Sequence, residues 1–148
     1  TAKEIIADFS EGLYYFVSGI GTGGHISGVG EVLKEQFPEI KIVGVEPDSS
    51  AVLNGGTPSP HAIQGIGAGF IPHNLNVNIL DKVVSISKED AFESVKSLAH
   101  TEGVFGGIST GASLAAIRVL LEKESKHQRV LTINYDTGER YLSVDGLF

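Results

Sequence analysis

GIGTGGHISGVG, running from Gly19 to Gly30, places six glycines in twelve residues between a short apolar run and a segment of helical periodicity. The apolar run, Leu13–Val17, ends at Ser18-Gly19 and reads as a buried strand. After the glycines, Val29, Val32, Leu33 and Phe37 recur at helical spacing, so a helix is predicted over Ile26–Phe37, stopped by Pro38. Ile40–Val45 (IKIVGV) is the next strand, which completes a β-α-β unit. Further along, Leu80–Ile86 reads as a strand and Ser87-Lys88-Glu89-Asp90 as a capping-box start of a helix reaching about His100. Glu102–Ile108 is short and broken by glycine. A helix from about Gly111 to Glu124 carries Leu114, Ile117 and Leu121 on one stripe, and Arg129–Asn134 is the last strand. Tyr135–Phe148 reads as a polar tail, and Thr1–Glu11 is compatible with a helix. Strands alternating with helices predict an α/β fold with a mostly parallel sheet and helices on its faces.

Composition bounds the function. The chain has 148 residues, a length expected of a single domain, with 11 basic and 18 acidic side chains and a net charge of −7. Without a basic footprint to displace counterions, nucleic acid and anionic membrane surfaces are poor partners. No cysteine is present, which removes disulfides, thiolate metal sites and a thiol nucleophile together. His25, His61, His73, His100 and His127 are scattered without helical metal-site spacing, so no metal is expected, and His100 and His127 are expected to face solvent. No apolar run is long enough to span a bilayer and Thr1–Ser10 lacks a signal-peptide layout, so a cytoplasmic protein is the default. The threonine start and the absence of methionine fit a piece of a longer chain.

Three glycine-rich segments carry possible chemistry. In the first, glycines allow close backbone approach to an anion, and the following helix would aim free N–H groups and its positive dipole end at a phosphate. Gly19-x-Gly21-x-x-Gly24 also fits the dinucleotide fingerprint, with Glu46 at the end of the next strand where a carboxylate would hold a ribose. A turn that binds nothing remains the plain alternative, and the Lys-Ser/Thr of a Walker A loop is missing. In the second, GVFGGISTGASLAAI (Gly103–Ile117), Ser109 is either a hydroxyl aimed at a ligand or an N-cap serine. The third, HAIQGIGAGFIP (His61–Pro72), lies in the long loop Glu46–His73 and reads either as a loop that closes over a site or as surface.

Taken in order, GIGTGGHISGVG, VGVEPDSS, QGIGAGFIP, EGVFGGISTGAS and YDTGERYLS resemble the fold-type II pyridoxal-phosphate enzymes, within them the cysteine synthase and cystathionine β-synthase group, over about Gly12–Phe148. The resemblance implies the three-layer large-domain portion of that fold, with pyridoxal 5'-phosphate as cofactor. By that likeness Gly21, Thr22, Gly23 and Gly24 cradle the phosphate. His25 stands where the family usually has a threonine, its backbone N–H still available and an imidazole in place of the hydroxyl. Ser109 resembles the serine that bonds the pyridine nitrogen. Gln64, Gly65 and Ile66 resemble the loop on the substrate side of the cofactor, and Asp136, Thr137 and Gly138 the segment near the ring edge. No lysine stands in the family's cofactor-carrying context and its asparagine loop is absent, so the chain resembles the carboxy-terminal half, expected to be inactive alone. The implied parent makes cysteine from O-acetylserine and sulfide as a cytoplasmic homodimer, with the C-terminal peptide of serine acetyltransferase as a possible partner. A cystathionine β-synthase, a nicotinamide-dinucleotide domain and a non-catalytic binding module are the alternatives.

Overall fold

The computed structural model describes residues 1–122, 124 and 128–148. Its elements are α1 (Ala2–Asp8), β1 (Tyr15–Gly19), α2 (Gly24–Gln36), β2 (Lys41–Pro47), β3 (Lys82–Ile86), α3 (Lys88–Glu102), α4 (Ile108–Leu121) and β4 (Val130–Leu131). Short 3-10 turns add Asp48–Ser50, Val77–Ile79 and Gly138–Tyr141. The four strands form one sheet in the order β3-β2-β1-β4, and every neighbouring pair is parallel. The α/β expectation and the parallel sheet are both met.

Alternation along the strands sorts side chains onto two faces, because successive residues of a strand point to opposite sides. Phe16 and Ile42 go to one face with Ile26, Val29 and Leu33 of α2 and Ile5 of α1. Tyr15, Val17, Val43 and Val45 go to the other, where Ala91, Phe92 and Val95 of α3 and Ala112, Ala115, Ala116 and Leu120 of α4 cover them. The result is three layers with a core on each side of the sheet. The α3–α4 contact is close because Gly111 has no Cβ; one added there would run into the Ala91 carbonyl oxygen.

Helix starts follow local chemistry. Ser87 caps α3 as its sequence predicts, its Oγ accepting from the Asp90 amide at 3.0 Å and donating to the Asp90 carboxylate at 2.6 Å. Gly103, at φ +68°, ends that helix in the left-handed conformation.

Three expectations need correction. Helix α4 begins at Ile108, not near Gly111, with Gly107 as its N-cap, so Ser109 lies inside the first turn and is not the cap. The last strand is two residues, not six: past Leu131 the Thr132 hydroxyl, not a ladder amide, donates to the Val17 carbonyl at 2.8 Å. The segment after it is no polar tail, since Tyr141 and Leu147 are buried in the α3/α4 core. The long loop after β2 is observed, with Ile63 and Ile66 buried in the same core. His100 is exposed as expected. His127, and the stretch of the predicted helix that includes Lys123, lie outside the described residues. Among the described residues no helix is long and apolar enough to cross a membrane, and no group of three or more acidic or histidine side chains is placed to hold a metal ion.

Candidate functional site

The strand order sets where a ligand can sit. From β1 the chain moves one way to β2 and β3, then returns across β1 to β4, so the direction reverses between β1 and β4. Open α/β sheets bind ligands at the carboxyl ends of the strands at such a reversal. A cavity of about 320 Å³ lies there, walled by Gly21, Thr22, Gly23 and His25 after β1 and by Tyr135, Asp136 and Tyr141 after β4. Gly65 and Ile66 from the long loop and Ser109 from α4 complete it. A larger, more open depression of about 790 Å³ lies at the opposite, amino ends of the strands, around Gly12, Phe37 and the Glu11–Arg129 ion pair. It faces no helix N-terminus of the sheet's crossover helices.

The wall after β1 is built from backbone. Gly23 is the N-cap of α2 at φ +82°, and a Cβ on it would lie 2.6 Å from that of Leu75. A Cβ on Gly21 would lie 2.6 Å from the Gly65 carbonyl oxygen, so only glycine lets the two loops meet. The first amides of α2 and α4 have no intrahelical partner, and neither helix has a side-chain cap. Helix α3, whose start does not line the cavity, is the one closed by a serine. Both uncapped N-termini contribute residues to the cavity wall.

The polar side chains differ in how committed they are. Ser109 is 6% exposed, yet among the described residues its hydroxyl has no hydrogen-bond partner; Ser113 bonds only its backbone carbonyl, at 3.1 Å. Asp136 accepts from the Tyr141 hydroxyl through Oδ2, while its Oδ1 is buried without a partner. Burial and the Asp136 carboxylate push the Tyr141 hydroxyl up to about 12. Thr110 anchors the β4 side of the wall, donating to Asn134 Oδ1 at 3.0 Å and accepting from the Tyr135 amide at 3.2 Å. Tyr135 in turn donates to Ser18 Oγ at 2.9 Å, and Ser18 Oγ lies 3.4 Å from His25 Nδ1. Burial holds the His25 imidazole below its ordinary value and the Tyr135 hydroxyl above its own.

Of the residues singled out from sequence, Gly21, Thr22, Gly23, His25, Gly65, Ile66, Ser109 and Asp136 come together around one space. Gly24 opens α2 just outside the lining, and Gln64 is exposed beside it. Thr137 and Gly138 lie behind the wall, with Gly138 packed against the Phe105 ring. Tyr135 and Tyr141 were not singled out as site residues although both stand in YDTGERYLS; their contacts with Ser18 and Asp136 are specific to the folded chain and leave no periodic signal. Glu46 is not free for a ribose. It is 2% exposed, and its carboxylate accepts from the Leu53 amide at 2.8 Å, the Asn54 amide at 3.1 Å and Asn54 Nδ2 at 2.8 Å. The dinucleotide fingerprint therefore lacks its acidic partner.

Comparison with known proteins agrees with this fold. Residues 1–136 match the family model described as pyridoxal-phosphate dependent enzyme. The chain is 50% identical over 145 residues to cysteine synthase B of Campylobacter jejuni, covering 98% of this chain and 48% of that protein. Cysteine synthase of Staphylococcus aureus is 43% identical over 144 residues, 97% of this chain and 46% of the relative. Among solved structures, O-acetyl serine sulfhydrylase isoform 3 of Entamoeba histolytica superposes with a TM-score of 0.93 at 38% identity, over 99% of this chain and 44% of that one. O-acetylserine dependent cystathionine beta-synthase of Helicobacter pylori gives 0.87 at 41% identity, over 96% and 46%. The chain thus spans about half the length of the curated relatives it matches. Three glycine-rich turns at one sheet reversal and a family match over most of the sequence lead to one assignment: the chain belongs to the pyridoxal-phosphate dependent enzymes.

Proposed function

We propose that this chain is the phosphate-binding, carboxy-terminal portion of a pyridoxal-phosphate dependent cysteine synthase that makes cysteine from O-acetylserine and sulfide. The observation that carries the reading is the convergence of the three glycine-rich turns on one cavity, with two helix N-termini uncapped and Ser109 uncommitted beside them. The residues fit the cofactor. Gly21 and Gly23 make a cradle that a Cβ would close, and the Ser109 hydroxyl, without a partner among the described residues, stands in the wall formed by α4.

In this reading the amides of Gly21–Gly24 and His25 bind the phosphate, aided by the dipole of α2. Ser109 places a neutral hydroxyl at the pyridine nitrogen, where a carboxylate would instead hold a proton on the ring. Gly65 and Ile66 wall the substrate side and exclude water, with Gln64 at the rim. Asp136 faces the ring edge and is steadied by Tyr141. When bound, pyridoxal phosphate supplies an electron sink that eases loss of a β-leaving group. The lysine that carries the cofactor has no counterpart among the lysines of this sequence, so the chain alone is expected to be inactive.

A second reading, an O-acetylserine dependent cystathionine β-synthase, is supported by the Helicobacter pylori structure at comparable identity. A cytoplasmic homodimer that takes the C-terminal peptide of serine acetyltransferase belongs to the first reading. Its test is titration of the protein with pyridoxal phosphate, followed by assay with O-acetylserine and either sulfide or homocysteine after supplying the other half of a relative. Binding, then turnover with sulfide, supports the cysteine synthase. Preference for homocysteine supports the second reading, and absence of binding leaves a non-catalytic module.

A further inference from the structure

His25 lines the cavity in the first turn of α2, whose N-terminus has no side-chain cap, and its surroundings say what the imidazole can do there. Ring nitrogen Nδ1 faces Ser18 Oγ at 3.4 Å. Ser18 has one proton and two acceptors at nearly equal range, since the Gly19 carbonyl lies at 3.3 Å. Tyr135 settles what else Ser18 does: its hydroxyl donates to Ser18 Oγ at 2.9 Å, so Ser18 accepts from the tyrosine and keeps its own proton to give. The His25 ring is held edge-on to both Phe16 and Tyr135, each with centroids 5.9 Å away. Nε2 has no partner among the described residues. Among the described residues the buried side-chain polar atoms without a partner are His61 Nδ1 and Asp136 Oδ1, so Nε2 opens onto accessible space, and the cavity is the space that His25 lines.

We propose that Ser18 and Tyr135 are positioning residues which, when a phosphate is bound, hold His25 as the neutral tautomer protonated at Nε2, so that the imidazole donates to a phosphate oxygen. This rests on the phosphate-site reading above. The logic is proton counting. An anion at Nε2 needs a donor there, a neutral imidazole has one N–H, and Nδ1 must then accept; Ser18 is the group in range to give it a proton. Burial, which disfavours the imidazolium, works in the same direction. Without the anion, the Ser18 proton is free to turn to the Gly19 carbonyl, and either tautomer fits. The phosphate thus selects between two proton arrangements of one chain, Tyr135 to Ser18 to His25.

The test uses the protein with nitrogen-15 histidine, titrated with pyridoxal phosphate, with pyridoxal lacking the phosphate, and with inorganic phosphate. Expected on addition of either phosphate compound is a His25 spectrum of the neutral Nε2–H form. His25→Ala should weaken both phosphate compounds about tenfold and leave pyridoxal unchanged. Tyr135→Phe, which keeps the ring, should weaken phosphate about threefold and return His25 to a tautomer mixture. His25→Thr should restore affinity and make it indifferent to Tyr135→Phe, a readout that a purely structural role would not move. A bound His25 that is imidazolium or protonated at Nδ1, or unaltered phosphate affinity in His25→Ala, overturns the proposal while the cofactor reading survives. If pyridoxal phosphate fails to bind but inorganic phosphate shows the His25 dependence, the cofactor reading fails and the proposal stands. If neither binds, both fall.

Discussion

Two buried polar side chains near the cavity show opposite degrees of commitment. Glu46 spends its carboxylate on the amides of Leu53 and Asn54, fastening the start of the long loop to the end of β2. Ser109, almost as buried, holds nothing with its hydroxyl among the described residues. Because a free hydroxyl contributes little to folding, Ser109→Ala is expected to change stability by no more than about 0.5 kcal/mol. In the proposed role of Ser109 the same change removes one hydrogen bond to the cofactor ring, a loss of about 0.5–1.5 kcal/mol, or a few-fold to roughly tenfold in pyridoxal phosphate affinity. Thermal unfolding without ligand and a fluorescence titration with it separate the two effects; a large fall in stability would show that the hydroxyl is structural. The same contrast explains why Glu46 misled. A glycine fingerprint followed by an acid is a local pattern, while the Asn54 side chain that claims the acid is a loop contact that no spacing rule reports.

At the level of elements, Asp81, one residue before β3, ties together α2 and β2. Its carboxylate accepts from the Ile42 amide of β2 at 2.8 Å and from Lys34 of α2 at 2.7 Å, with Lys41 of β2 3.6 Å away. Burial pushes its pKa up, but Lys34, the Ile42 amide and Lys41 together outweigh burial and hold it below the ordinary value of 3.8. A group depressed on folding stabilises the fold at pH above its unfolded value and loses that contribution as pH falls through the lower folded one. Asp81→Asn should therefore lower the melting temperature at neutral pH, and the gap to the unaltered protein should narrow as pH drops below 3.8; a gap constant with pH would remove the carboxylate from the account. Elements with a self-contained signal were legible in the same way. Ser87 and Asp90 sit three residues apart and announce α3, and the stripe of Val29 and Leu33 announces α2. Helix α4 was placed three residues late because Gly106-Gly107 opens it without a capping side chain, the very property that leaves its N–H groups free. The short β4 was illegible for a different reason: the Thr132 side chain takes over a ladder position that RVLTIN, as letters, assigns to backbone.

For the whole molecule, the two cores are closed by residues distant in sequence. Leu147 is fully buried among the α3/α4 side chains, and the Gly146 carbonyl accepts from Lys96 of α3 at 2.9 Å. Leu147→Ala is expected to cost about 2–5 kcal/mol, and at about 2–4 °C per kcal/mol for a chain of this size the melting point should fall by roughly 4–20 °C. Calorimetry decides it, and a drop below about 2 °C would mean that the segment is not part of the cooperative fold. That segment is also the one that walls the cavity, stretched from Thr110 and Asn134 at one end to Leu147 at the other. In the order of synthesis, the glycine loop after β1 precedes this wall by roughly a hundred residues, on the order of ten seconds at typical rates of elongation. For that interval the nascent chain has the glycine loop without the wall that β4 and its following segment set opposite it. The cavity therefore comes into being only when the sheet reversal at β1 and β4 is complete.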